Sequence, residues 1–281
     1  MQTSSLAGRF KVGTRIYFGF LVVLLLLAVV VAIGVRGLGV ARDGFESYAA
    51  VSDHSIQVST IDGQVAQMRR LVVNFNNSGD PKAAEQVRAV QASLAKDLRG
   101  ALDGITGERR ALLERMNQLF AAYTADFNTL VELRQRRDRL YAEQLVPAGE
   151  KARETVSQLV SGLAADGEHE AAAGAGLAQE QLLLARLSAS RFFTNPNEAI
   201  IAEVAARNDT FNEAIRRLGT RLTNPAHRAT AQTADQMSDR YVAVFRETAT
   251  VVLENARLID VMAARGAEFA DLSDRTVAIE T

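Results

Sequence analysis

The sequence predicts an all-α chain of two stacked four-helix bundles that share two long helices, preceded by one transmembrane helix. Three observations lead there. Between its breakers the chain repeats apolar residues at spacings of three and four, the period of a helix with one buried face, and no stretch alternates with period two long enough for a strand. Only 4 prolines occur in 281 residues, and they fall mostly where the helical pattern stops. Ile16 to Val35 is a run of 20 uncharged residues, which at about 1.5 Å per residue spans a hydrocarbon core of roughly 30 Å.

The elements follow in order. Arg9, Lys11 and Arg15 precede the apolar run with no acid among the first fifteen residues, so residues 1–15 are expected in the cytoplasm, 16–35 in the bilayer and 36–281 outside the cytoplasmic membrane. A cleaved signal peptide shares the basic and apolar regions, but no convincing small-x-small cleavage site follows this run. Asn76-Asn77-Ser78-Gly79-Asp80-Pro81, Asn195-Pro196-Asn197 and Thr223-Asn224-Pro225 are turns with proline close to the next helical start. Ile105-Thr106-Gly107 and Ala165-Asp166-Gly167 supply two further breaks. Six outer helices are predicted, at 36–77, 82–105, 107–165, 168–194, 197–222 and 225–281. Pro147 alone sits inside a long pattern and predicts a kink beside Gly149. The buried stripe of the third helix carries Leu112, Met116, Tyr123, Phe127 and Leu130; that of the sixth carries Met237, Tyr241, Phe245, Met262 and Phe269.

Helix lengths discriminate between two topologies. If all six outer helices alternate in direction, the chain finishes about 28 Å from the membrane plane. If the first two climb in series, the third descends, the fourth and fifth climb in series and the sixth descends, it finishes beside the bilayer. The second arrangement is preferred on that ground. It makes a proximal bundle with the first and fourth helices and a distal bundle with the second and fifth. The turns at Gly79 and Pro196 would lie at the waist, those at Thr106 and Asn224 at the distal tip, and that at Asp166 beside the membrane.

An internal duplication points the same way. At an offset of 118 residues Phe75 matches Phe193, Tyr123 matches Tyr241, Phe127 matches Phe245, Arg139-Leu140 matches Arg257-Leu258 and Ala152 matches Ala270. Each half reads as one short, short, long helical unit.

Composition removes several function classes. The chain has no cysteine, hence no disulfide, thiolate nucleophile or cysteine-ligated metal site. With 32 basic and 33 acidic side chains the net charge is -1, which argues against nucleic acid as a partner. His54, His169 and His227 fall on separate segments, and there is no glycine-rich phosphate loop, His-Glu-x-x-His or Gly-x-Ser-x-Gly. The reading is therefore of a protein that is not an enzyme, with no cofactor motif.

Three stretches carry a family resemblance: Arg69-Arg70-Leu71 running to Pro81; Ala122-Tyr123 through Phe127-Asn128-Thr129-Leu130 to the polar run Arg134 to Arg139; and Ala185-Arg186-Leu187 through Phe192-Phe193-Thr194-Asn195-Pro196 to Tyr241 and Phe245. In these, and over nearly all of residues 36–281, the chain resembles the helical bimodular sensor domain of bacterial methyl-accepting chemotaxis receptors and sensor histidine kinases. The resemblance implies a periplasmic input domain on the bacterial inner membrane, usually homodimeric, that binds a small organic ligand such as a short carboxylic acid. It also implies a second membrane helix and a cytoplasmic output, neither of which appears before Thr281. A sensor histidine kinase input, and a membrane-anchored helical scaffold that binds a partner protein, are the alternatives.

Candidate ligand residues come from height along the rod. Of the bases, 28 are arginine and 4 lysine, and arginine suits bidentate carboxylate recognition. Arg70, Arg139, Arg191 and Arg257 fall near the waist on the first, third, fourth and sixth helices, so four cations could converge there on an anion. Arg186 lies about a turn and a half away on the fourth helix and could line the same cavity, with Thr194 and Asn195 as further hydrogen-bonding groups. Pairing with Asp62, Asp138 or Glu254 is the competing expectation for these arginines. Asn212, Arg216 and Arg217 are candidates for a second, distal site.

Overall fold

A computed structural model describes the backbone of residues 12–103 and 105–279, with side chains for 18–31, 33–36, 38, 57–103 and 105–279. Residues 1–11, the His54 side chain and the last two residues, which the sequence reading also covered, lie outside the described residues. Seven α-helices and no strand occur among the described residues: α1 (Val12–Ser78), α2 (Pro81–Leu102), α3 (Gly107–Arg139), α4 (Val146–Ala165), α5 (His169–Thr194), α6 (Glu198–Arg221) and α7 (Pro225–Ala278). The apolar run is continuous with the outer part of α1, and its Phe18–Arg36 segment, of mean hydropathy 3.2, is long and apolar enough to cross a membrane.

Local chemistry sets the helix ends. Asp80, Asn197 and Asn224 each cap the helix that follows, accepting from the backbone N–H of Lys82 (2.9 Å), Ile200 (3.0 Å) and Ala226 (2.9 Å). Pro81 and Pro225 occupy the first helical positions of α2 and α7, where a missing N–H costs nothing. Gly79 at φ +69° ends α1 in the left-handed region that β-carbon-bearing residues avoid.

The third predicted helix is jointed. Between α3 and α4, Leu140–Leu145 form a π-turn, in which the Val146 N–H reaches back to the Tyr141 carbonyl. The cause is two residues further on: Pro147 has no N–H to donate and its ring crowds the carbonyl four residues before it, and one wider turn relieves that clash. The predicted kink is thus expressed upstream of the proline, as an extra residue in the turn.

The helices pack in two groups of four. The first buries Ile61, Met68 and Phe75 of α1, Leu94 and Leu98 of α2, Leu113, Phe127 and Leu130 of α3, and Met262, Phe269 and Leu272 of α7. The second buries the π-turn and α4 (Leu145, Leu159), α5 (Leu182, Phe192), α6 (Val204, Phe211) and the earlier part of α7 (Ala234, Phe245). Helix α7 therefore serves both groups in succession, and α3 hands over to α4 at the π-turn.

This overturns the expected pairing of the first helix with the fourth and of the second with the fifth. Helix α1 packs against α2, and α5 against α6. The reason is the connections: between Ser78 and Pro81, and between Thr194 and Glu198, only two or three residues intervene, and such short links return the chain antiparallel beside the helix it has just left. Helix α3 continues into α4 through the π-turn, and α5 then packs back on α4 and α6 on α5. The turn at Asp166 consequently meets Asn224 and His227 at one end, with Asn224 Nδ2 3.2 Å and His227 Nε2 2.8 Å from Asp166 Oδ2. It does not lie at the anchor end, and Thr106 is not at the tip.

The duplication is real in space but shifted. Phe75 meets Phe127 edge-to-face at 5.6 Å, and the equivalent contact in the second group is Phe192 on Phe245, also at 5.6 Å. Phe75 thus corresponds to Phe192, one residue short of the expected Phe193. Past the π-turn the extra residue moves the correspondence again, so that the buried Ala152 aligns in sequence with the buried Phe269 and not with the half-buried Ala270.

Candidate functional site

The expected waist pocket does not form. Arg70, Arg139, Arg191, Thr194 and Arg257 are all exposed. Arg191 lies 3.8 Å from Glu203, and Arg257 4.0 Å from Glu198, both on the outside of the molecule. Arg70 borders an open groove on α1 with Ala66, Arg69 and Val73. Asn195 is exposed and its carbonyl accepts from Asn197 at 3.1 Å.

The arginine buried at the waist is Arg134, which height along the rod did not single out. It is 8% exposed, donates to the Asn76 carbonyl at the end of α1, and pairs with Asp138 at 3.0 Å. Burial alone would raise the Asp138 carboxyl, but hydrogen bonds from Arg137 and Arg134 outweigh it and hold the group below its ordinary range. A guanidinium on the last carbonyls of a helix satisfies orphan acceptors and complements the negative end of the dipole. Asn255 of α7 adds a 2.8 Å bond to the Asn76 side chain. Arg134 is therefore spent on joining α1, α3 and α7.

The candidates for a distal site are likewise internally satisfied. Asn212 is buried, donates to Asp239 at 2.6 Å and accepts from Ser238 at 2.6 Å. Arg216 pairs with Asp235 at 3.0 Å, and Arg217 with Glu213.

Of the expected residues, Arg216 borders a cleft of about 320 Å³ between α6 and α7 with Arg228 and Asp235, and Arg186 lines a cavity with aromatic walls. The latter space is about 330 Å³, within the range of small-molecule sites. It opens where the π-turn, the start of α4, α5 and α7 meet. Tyr141 and Phe193, edge-to-face at 5.1 Å, form one wall, Leu183 and Leu187 another, and Tyr241 the floor. Gly149 makes room there: a β-carbon at this position would lie 3.0 Å from Tyr241 Cε2 and 3.2 Å from Arg186 Nε. Arg186 Nη2 lies 2.5 Å from Glu150 Oε1, and Arg153 Nε lies 3.0 Å from the other oxygen. These two hydrogen bonds, from Arg186 first, lower the Glu150 carboxyl. Burial pushes the Tyr241 hydroxyl up to about 12, partly offset by the charge of Arg186.

A related constellation stands in the first group. Gly266 of α7 gives space to Arg69, whose Cδ would lie 3.0 Å from an added β-carbon, and the buried Tyr123 hydroxyl is pushed up to about 12, partly offset by Arg69. No π-turn accompanies it, and Arg69 borders the open groove instead of a cavity.

Phase around the helix was the missing signal in the sequence. Arg191 is five residues beyond Arg186, hence about 140° further round α5, and it faces outward. Arg134 follows Leu130 by four and Phe127 by seven, which places it on the buried stripe. The π-turn, which creates one wall of the cavity, was legible only as Pro147.

No family model matches the chain, and no curated protein matches it.

Proposed function

We propose that the chain is the extracytoplasmic sensor module of a transmembrane receptor, with the two groups of helices acting as stacked four-helix bundles that share α3–α4 and α7. Residues 16–35 anchor it in a bacterial inner membrane, and residues 36–281 lie in the periplasm as a homodimer. A small organic anion, most simply a carboxylate, enters the cavity at Arg186 and shifts α7 against α1. A chemoreceptor output is the first reading, and a histidine kinase carrying the same input the runner-up.

One observation carries the proposal. A cavity of about 330 Å³, lined by aromatic side chains and one arginine, lies against α7, and the same helix packs on α1, which is continuous with the apolar span. A ligand bound there touches a rod that reaches back to the anchored helix. Redistribution between two packings of α7 on α1 is the physical requirement for a signal.

Thermal unfolding of the full chain in lipid nanodiscs, screened against mono-, di- and tricarboxylates, amino acids and polyamines, tests the reading. A ligand of the folded state raises the midpoint by mass action. A well-folded chain whose midpoint none of these compounds moves would overturn the sensor proposal. That result would favour a membrane-anchored scaffold, for which the exposed Leu177, Leu183 and Leu187 on α5 provide a contact face.

A further inference from the structure

We infer that the Arg186 cavity selects a monocarboxylate carrying one ring-sized apolar body, and that the ligand carboxylate competes with Glu150 for Arg186. The inference rests on the sensor proposal and narrows its ligand class.

Charge count sets the number of carboxylates. Arg186 is the one charged side chain lining the cavity; Arg153 is held on Glu150, and Arg191 sits outside near Glu203. One guanidinium matches one carboxylate bidentately. A second carboxylate on the same ligand would find no second cation among the lining residues, only the apolar rim of Leu183 and Leu187, and would gain nothing from the site. Di- and tricarboxylates are therefore disfavoured.

The remaining lining sets the body. Tyr141, Phe193 and Tyr241 line the space together with the exposed Leu183 and Leu187 at its rim, and Ser190 is the only lining hydroxyl besides the tyrosines. Such walls reward apolar area and offer edge-to-face contacts to an aromatic ring. Sugars and polyols, which need many polar partners, fit poorly. The volume is at the low end of ligand sites, which suits one ring and not a fused system.

Glu150 is the built-in competitor. It already occupies Arg186 Nη2 at 2.5 Å while also held by Arg153 at 3.0 Å. An arriving carboxylate takes over part of the guanidinium fork, and Glu150 keeps Arg153 on its own helix. The contact between α4 and α5 is thereby exchanged for a contact of each with its own partner.

Calorimetric titration of the full chain in nanodiscs, with empty discs as the blank, tests this with benzoate, benzyl alcohol and succinate. Benzoate is expected to bind at least tenfold more tightly than either of the others. Arg186→Gln should weaken benzoate at least tenfold, Arg191→Gln should leave it unchanged, and Glu150→Gln should tighten it several-fold by removing the competing anion. Leu187→Arg, at an exposed position that tolerates the change, should create succinate binding by supplying a second cation. Succinate binding as tightly as benzoate in an Arg186-dependent manner would overturn the ligand class and leave the sensor proposal standing. Benzoate binding unaffected by Arg186→Gln, or not tightened by Glu150→Gln, would overturn the site or the competition respectively. Absence of binding by both acids would overturn the ligand class, and a midpoint shift with another compound of the wider screen would leave the sensor proposal standing.

Discussion

Gly79 is under two constraints at once. Its φ of +69° belongs to glycine, and a β-carbon there would lie 2.7 Å from Nη2 of the buried Arg134. Gly79→Ala should cost at least the roughly 1–2 kcal/mol of a left-handed alanine, read as a lower urea midpoint by circular dichroism; an unchanged midpoint would mean that Arg134 is not held against the end of α1. The tyrosines give a second test at this scale. Tyr123 and Tyr241 are pushed up to about 12 by burial, against about 10 in the unfolded chain. The folded state then binds more protons than the unfolded one above pH 10, so their contribution to stability is intact below that pH and is lost as pH rises toward 12. Phenolate absorbance should show two of the 5 tyrosines ionising only near pH 12 or on unfolding. Carboxylates act at the other limit. Glu150, lowered chiefly by Arg186, and Glu203, lowered by Ser188 and Arg207, stabilise the fold above their unfolded values and lose that effect as pH falls below about 4.

Among elements, the two Phe–Phe contacts are the repeated unit of the core. Phe127 and Phe245 are both fully buried, each against a phenylalanine near the end of its repeat's first helix, Phe75 of α1 and Phe192 of α5. Truncating either to alanine should cost about 3–5 kcal/mol, measured by denaturant unfolding, and a large inequality between the two would contradict their equivalence. Helix existence was legible in the sequence because apolar spacing and capping residues act over a few positions: Asp80-Pro81 and Asn224-Pro225 stand where they were expected. Topology was not legible from lengths, because the arithmetic required the chain to return to the bilayer, whereas the short turn at Gly79-Asp80 dictates the fold locally. The π-turn hid for a related reason. An inserted residue leaves the apolar spacing intact on each side and changes only the phase between them, which is why Ala152 was matched to Ala270.

At the level of the whole molecule, each repeat lends half of its long helix to the other. Helix α4, from the first repeat, completes the group of α5, α6 and early α7, and the end of α7 completes the group of α1, α2 and α3. Residues 1–139 expressed alone should therefore fail to fold cooperatively, since Met262, Phe269 and Leu272 are missing from their core; a sharp, reversible melting transition for that fragment would contradict the exchange. The candidate site shares this dependence, because its walls come from both repeats: Tyr141 and Gly149 from the first, Arg186, Phe193 and Tyr241 from the second.

The exchange also fixes an order of assembly as the chain emerges from the ribosome. Side-chain bonds between helices of the second group join residues 15 to 61 apart, such as Ser188 with Glu203 and His227 with Asp166. Those that bring α7 onto α1 and α3 reach across 111 to 179 positions, from Arg136 with Glu247 to Asn76 with Asn255. Near contacts close sooner than distant ones. The group made last is thus the first able to close, and the group nearest the apolar span, although synthesised first, waits with an incomplete core until the final helix arrives. Synthesis runs away from the apolar helix, and consolidation runs back toward it.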